Sequence, residues 1–179
     1  MRKNQVYYLA DGGDEQYTPK CGVEILLPHI QHLKNKIIWC PSDREDSQFV
    51  KVLTDNGFPV TYSHLDNGQD FFSYEPEQWD VLISNPPYHN KRQFFQRCLD
   101  LNKPFALLLP INILSDGIIN EKLKGREGDL SLLIPNKRMR FYNRKTGAVG
   151  NSPTFKAAYI GVGIFTKPII LQDMEVSKA

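Results

Sequence analysis

Short apolar runs alternate with stretches of helical spacing along nearly the whole chain, and this alternation limits the fold more than any other feature. Ile37-Ile38-Trp39-Cys40, Val60 to Ser63, Val81 to Ser84 and Phe105 to Leu109 are bounded by Pro or polar residues and read as strands. Two more are expected at about 130–134 and 156–165. Between them, Thr18-Pro19 predicts a helix start with Thr at the N-cap and Pro at the first helical position, leading into Val23, Leu26, Leu27 and Ile30. Ser47 can cap a helix burying Phe49, Val50 and Leu53, with Gly57 as its terminator. Asn90 can open a third, with Phe94, Phe95, Cys98 and Leu99 on one face, and a further helix is expected near 117–124. Continuous apolar strands separated by helices predict an α/β chain whose mostly parallel sheet is covered on both faces. Ligands of such open sheets gather at the carboxyl ends of the strands, so the residues just after each strand are where chemistry is to be sought.

The chain of 179 residues is long enough for one domain with a sizeable core, and it shows no repeat or Pro/Gly/Ser linker that would divide it. No apolar run approaches the ~18 residues of a membrane helix, and the N-terminus lacks the pattern of a secretory signal. Cys21, Cys40 and Cys98 are odd in number and lack a CxxC pair, which argues against a disulfide framework or a metal site and suits a cytoplasmic protein. The net charge of +2 hides an asymmetry. Residues 1–129 hold 18 acids and 14 bases, whereas residues 130–172 hold seven bases and no acid. A basic C-terminal quarter on a mildly acidic body suits a chain that handles a polyanion.

The sharpest local signal is Ser84-Asn85-Pro86-Pro87-Tyr88, directly after Val81-Leu82-Ile83. Two prolines following a given Asn arise by chance roughly once in 400. The Asn85 side-chain oxygen and the Pro86 carbonyl are acceptors, and neither proline has an N–H to compete with a ligand. Two acceptors converging on one amino group bind both its hydrogens and draw its lone pair out of conjugation, which turns a poor nucleophile such as the exocyclic nitrogen of adenine into a better one. Tyr88 offers a face on which an extracted base can stack. The electrophile that suits such a nitrogen is a sulfonium methyl donor.

Asn85-Pro86-Pro87-Tyr88 resembles the catalytic motif of adenine-N6 methyltransferases of the class I, S-adenosylmethionine-dependent fold. Asp14-Glu15-Gln16-Tyr17-Thr18-Pro19 is similar to the (F/Y)-T-P segment of type I modification subunits and related adenine methylases, where the turn and helix start touch the methionine end of the cofactor. The overall run looks most like small phage-borne or prophage-borne adenine methylases. The resemblance implies a Rossmann-like fold with a seven-stranded sheet, S-adenosylmethionine as cofactor, and cofactor contacts from Tyr17, Thr18, Pro19 and Asn85. It also implies a cofactor loop after the first main strand, normally acidic and glycine-rich. Here that loop reads Trp39-Cys40-Pro41-Ser42-Asp43-Arg44-Glu45-Asp46-Ser47, without glycine. Cys40-Pro41 stands where Asp-Pro is expected, which leaves Asp43 or Asp46 for the methionine ammonium. After the second strand His64 comes first and Asp66 later for the ribose hydroxyls. Asp70 is placed to accept from the cofactor's adenine amino group, with Phe71 against its ring.

The basic stretch from Asn136 to Lys145 interleaves Lys137, Arg138, Arg140, Arg144 and Lys145 with Phe141 and Tyr142, a mixture able to track phosphates and stack on unpaired bases. Ser152-Pro153-Thr154-Phe155 is expected to bring Phe155 to the base pocket. These readings combine into one methyltransferase domain over residues 1–179, with an arm at 1–13, a basic substrate-facing loop at 136–153 and a tail at 170–179. Its substrate is adenine in nucleic acid, DNA ahead of RNA. The chain has no room for a separate target-recognition domain, so a specificity partner or a homo-oligomer is among the expectations. The alternatives are an RNA adenine methylase, a protein glutamine methylase with the same loop, and an idle nucleic-acid-binding protein of this fold.

Overall fold

Each apolar run expected to be a strand forms one. The computed structural model describes residues 16–149 and 156–176. In chain order the elements are β1 (Gln16–Tyr17), α1 (Lys20–Glu24), β2 (Ile38–Pro41), α2 (Gln48–Asp55), β3 (Val60–Ser63) and β4 (Val81–Ser84). There follow α3 (Lys91–Asp100), β5 (Phe105–Pro110), α4 (Gly117–Leu123), β6 (Leu130–Pro135), β7 (Tyr142–Asn143), β8 (Ala157–Val162) and β9 (Ile169–Gln172). Seven strands make one sheet in the order β3-β2-β4-β5-β8-β6-β9. The β2–β3, β2–β4, β4–β5 and β6–β9 pairs are parallel, and only β8 opposes its neighbours. This is a Rossmann-like, mostly parallel sheet.

The two faces explain the continuous apolar strands. Ile38, Cys40, Val81, Ile83, Ala106 and Leu108 pack on one side with Val23 of α1 and with Phe49, Val52 and Leu53 of α2. Trp39, Leu82, Phe105, Leu107 and Leu109 pack on the other with Phe94, Phe95 and Cys98 of α3 and with Ile118 and Ile119 of α4. Successive side chains of a strand point to opposite faces, so a strand covered on both sides must be apolar at every position. The chain pairs β3 on one side of β2 and then crosses to pair β4 on the other. The loops leaving β2 and β4 therefore diverge at a switch point, where this class of sheet opens a crevice.

Two expectations change, and one pairing is new. The first helix begins at Lys20 with Pro19 as its N-cap and no side-chain cap, so Thr18 does not cap it. It ends after five residues and gives way to single turns at Leu27–His29 and Gln31–Leu33. Pro28, without an N–H, cannot extend an α-helix through that point. The C-terminal tail starts later than expected: Ile169–Gln172 is a strand on the sheet edge, and Met174 beyond it is buried. Finally, β1 and β7 form a two-residue antiparallel ladder, Gln16 opposite Asn143 and Tyr17 opposite Tyr142, which joins the start of the described chain to the basic segment.

Candidate active site

Asn85 directly follows β4, at the switch point of the sheet. The residue before it is anchored, because the buried Ser84 Oγ donates to the Pro41 carbonyl at 2.6 Å and ties the end of β4 to the end of β2. The Asn85 amide nitrogen donates to Thr18 Oγ1 at 3.1 Å, across 67 residues of sequence. Its oxygen, Oδ1, is buried and accepts no hydrogen bond. A buried acceptor left in that state costs ~1–3 kcal/mol, which a ligand donor would recover. The turn beyond is stiffened by Pro86 and Pro87, and the Pro87 carbonyl accepts from the Asn90 N–H at 3.1 Å. Tyr88 is half-buried, its ring edge-on to Phe141 at 6.2 Å between centroids. Burial pushes its hydroxyl well above the ordinary phenol range, so it stays neutral.

The loop after β2 lacks glycine yet adopts a glycine-like conformation: Ser42 has φ +63°, in the left-handed region that L residues seldom enter. Cys40 and Pro41 are buried inside the strand, and burial, then the Asp43 charge, raises the Cys40 thiol well above its usual range. Asp43 is buried, and its N–H donates to the Ser63 carbonyl at 3.2 Å, so the turn is held between β2 and β3. Asp46 is engaged on both oxygens, by Tyr17 Oη at 3.1 Å and by Arg144 Nε at 2.9 Å. Of the two carboxylates expected near the cofactor, Asp46 thus works as a latch between the first loop and the basic segment.

His64 caps the turn after β3, its Nδ1 accepting from the Asp66 N–H at 3.0 Å. Asp66 in turn pairs with Arg44. Asp70 Oδ1 accepts from the Phe72 N–H at 3.0 Å and shapes a turn of its own. That turn sends Phe71 inward. Its ring is stacked on Phe94 at 3.8 Å and 16° and is 3% exposed, which places Phe71 in the core under the turn. Phe72, half-buried, is the neighbouring aromatic nearer the surface.

The basic segment alternates. Met139 and Phe141 are buried, whereas Lys137, Arg138, Arg140 and Lys145 are exposed. Phe141, expected as a stacking platform, is instead part of the core under the segment. Tyr142 is half-buried, hydrogen-bonded to Gln48 and edge-on to Tyr17 at 5.9 Å. Arg144 is held by Asp46. Beside this segment, at the ends of β5 and β6, a cavity of about 380 Å³ carries Lys137, Arg138 and Lys156 and no acid in its lining. Lys156 escapes a reading confined to the Lys137–Lys145 cluster; its signal is that it is one more base in the acid-free quarter. A more open cavity of about 540 Å³ lies over Arg44, Asp46, Tyr62 and Arg144.

The structure therefore joins Tyr17, Asp46 and Arg144 in one set of hydrogen bonds and Thr18 with Asn85 in another, the two sets meeting at the adjacent residues Tyr17 and Thr18. The partnership of Thr18 with Asn85 has no counterpart in any local sequence pattern. Residues 1–13 and Ser152 to Phe155, to which an arm and a base pocket were assigned on sequence, lie outside the described residues. Among the described residues no helix is long and apolar enough to cross a membrane.

No protein-family model matches the chain, and no curated protein matches it in sequence. Among solved structures it is similar to a dimethyladenosine transferase from Plasmodium falciparum, with TM-score 0.49 and 10% identity over 83% of this chain and 62% of that one. It thus spans about three fifths of that protein's length. It is also similar to a release factor-specific protein-(glutamine-N5) methyltransferase from Alicyclobacillus acidocaldarius subsp. acidocaldarius DSM 446, with TM-score 0.40 and 16% identity over 80% of this chain and 92% of that one.

Proposed function

We propose that this chain transfers a methyl group from S-adenosylmethionine to the exocyclic amino group of adenine in nucleic acid, DNA ahead of RNA. One observation carries the reading: a buried amide oxygen, Asn85 Oδ1, stands without a donor at the end of a central strand, inside a rigid Pro-Pro turn. A primary amino group conjugated to a ring has the donor that this oxygen lacks. Asn85 Oδ1 takes one of its hydrogens and the Pro86 carbonyl the other, which localises the nitrogen lone pair. The cofactor supplies an electrophilic methyl on a sulfonium centre. No side chain need remove a proton before attack, because the methylated nitrogen becomes acidic and releases its proton to water. The residues present fit such a cofactor: the strained turn at Ser42 and the buried Asp43 follow the end of β2, at the same edge of the sheet as Asn85 after the parallel neighbour β4.

A glutamine side-chain amide could present the same N–H groups to Asn85. The acid-free cavity of Lys137, Arg138 and Lys156 favours a phosphodiester substrate instead. Strands in a sheet lie ~4.8 Å apart, so the end of β5 is one spacing and that of β6 about three from Asn85, within reach of phosphates a few nucleotides from the target. The preference for DNA rests on the likeness of Asn85-Pro86-Pro87-Tyr88 and Tyr17-Thr18-Pro19 to phage-type adenine methylases.

The deciding experiment offers tritiated cofactor to DNA, RNA and protein extract side by side, with Asn85→Ala as control. Label is expected in adenine of nucleic acid, and the variant should lose on the order of 100-fold in turnover. Label in protein alone would move the reading to glutamine methylation. No transfer, together with no heat on titration with S-adenosylhomocysteine, would leave a binding protein of this fold. Three phosphate contacts predict a log–log salt dependence of binding with slope roughly −3. Changing Lys137, Arg138 and Lys156 to Gln together should remove most of that slope while leaving cofactor affinity alone.

A further inference from the structure

Resting on that reading and deepening it, we propose that Thr18 is the positioning residue for Asn85: its hydroxyl oxygen holds the amide nitrogen so that Oδ1 faces the incoming amino group. The resemblance gives Thr18 to the cofactor, but the hydroxyl accepts from Asn85 Nδ2 at 3.1 Å. An amide can turn over at little steric cost, and only its oxygen end can accept from an amino group. The turned-over state would place an NH2 group, with two unmet hydrogens, in the buried spot that now holds one unmet acceptor. It would also set donor against donor when the substrate arrives. Once Oδ1 holds the substrate, Nδ2 is the only end left for Thr18, so the bond already made is the one the reaction needs.

Both ends of this bond stand on fixed backbone. Tyr17, on one side of Thr18, is paired to Tyr142, and Pro19, on the other, is the N-cap of α1. Thr18 itself is 4% exposed, and no side chain caps α1, so its hydroxyl is not diverted to the helix start. Its methyl is wedged at Gly22, where an added Cβ would come within 3.0 Å of Thr18 Cγ2 and 2.9 Å of Met139 Sδ. On the Asn85 side, Ser84 is tied to Pro41. A hydroxyl this constrained can orient its partner with little loss of freedom on reaction, which is how preorganisation raises turnover without tightening ground-state binding.

The test is a kinetic double-mutant cycle on the full chain. Thr18→Val keeps the shape and the methyl contacts and removes the hydroxyl; Thr18→Ser keeps the hydroxyl. Thr18→Val is expected to lower kcat about tenfold to hundredfold with S-adenosylhomocysteine affinity changed less than threefold, and Thr18→Ser to recover most of the loss. In the Asn85→Ala background Thr18→Val should have no further effect, because it acts only through that amide. A purely structural role would instead give additive losses in both backgrounds and a matching drop in melting temperature. Loss of cofactor affinity with kcat intact would return Thr18 to the cofactor and overturn the proposal, as would wild-type turnover by Thr18→Val. If the wild-type chain transfers no methyl to any substrate, the methyltransferase reading falls and this one with it. If the wild type is active and Thr18→Val is too, only this one falls.

Discussion

Replacing Phe71 separates a core residue from a cofactor contact. The ring lies against Phe94 in a parallel stack, with the Trp39 centroid 5.5 Å away and that of Phe72 5.6 Å away. At 3% exposure almost no solvent-facing surface is left for a ligand to cover. Truncating a buried Phe to Ala costs ~3–5 kcal/mol from lost transfer energy and the cavity left behind. The stack places Phe71→Ala in the upper half of that range, because stacked pairs add ~0.5–1.5 kcal/mol beyond burial. For a chain of this length about 4 kcal/mol corresponds to a fall of roughly 8–16 °C in Tm. Urea unfolding followed by far-UV circular dichroism reads the loss, with m expected unchanged; tryptophan fluorescence, from Trp39 beside the cavity and its neighbour Trp79, gives a second trace. Phe72→Ala, at a half-buried position, should cost less than half as much. A loss below about 1 kcal/mol in Phe71→Ala, accompanied by a tenfold or greater fall in S-adenosylhomocysteine affinity, would refute the core assignment and restore the ring to the ligand.

Ser42→Gly should stabilise the chain: relieving a left-handed L residue returns ~1–2 kcal/mol, glycine's extra freedom takes back ~0.5–1, and a calorimetric Tm below wild type would contradict the strained turn. Stability should also fall in alkali. Burial raises the thiols of Cys40 and Cys98 and the hydroxyl of Tyr159 well above their usual ranges, so from about pH 8.5 upward the unfolded chain loses thiol protons that the folded chain keeps. The stabilisation is complete below the unfolded thiol value and declines above it, by at most ~1.4 kcal/mol per pH unit for each ionising group. Urea midpoints should therefore drop between pH 8 and pH 10, and a flat midpoint across that window would show that these groups ionise in the folded state too.

The sheet was legible because its strands are covered on both faces, which forces unbroken apolar runs such as Phe105 to Leu109 that no polar alternation disguises. The Ser47 cap and the Gly57 stop of α2 were equally legible, since each rests on one residue's local geometry: Ser47 Oγ accepts from the Val50 N–H, and Gly57 has φ +78°. The β1–β7 ladder was not, because two residues per strand carry no period. Nor was the orientation of Phe71. Whether residue 71 or 72 turns inward depends on the Asp70 side chain capturing the Phe72 N–H, and Asp70-Phe71-Phe72 reads the same either way. Composition likewise fixes no partner for Thr18: a threonine before a proline looks like a helix cap, and only the folding of β4 beside it supplies Asn85.

The basic segment shows a signal present in the sequence but hidden by its charge. Arg138-Met139-Arg140-Phe141 alternates strictly, and a period of two turns Met139 and Phe141 to the core while leaving both arginines outside. Interleaved aromatics and cations suggest a stacking surface only if both face the same way, which an extended chain forbids for adjacent residues. Arg138 and Arg140 do share an outward face, which is what phosphate neutralisation would need. On the proposed reading, a flipped base would then have to stack on an aromatic outside this segment. Tyr88, half-buried with Phe141 against its edge, is the aromatic whose position follows directly from the Asn85-Pro86-Pro87 turn. Burying Phe141 thus gives the segment a second role, since the ring that supports Tyr88 belongs to the stretch that carries the exposed cations, and the same stretch is latched to the first loop through Arg144 and Asp46.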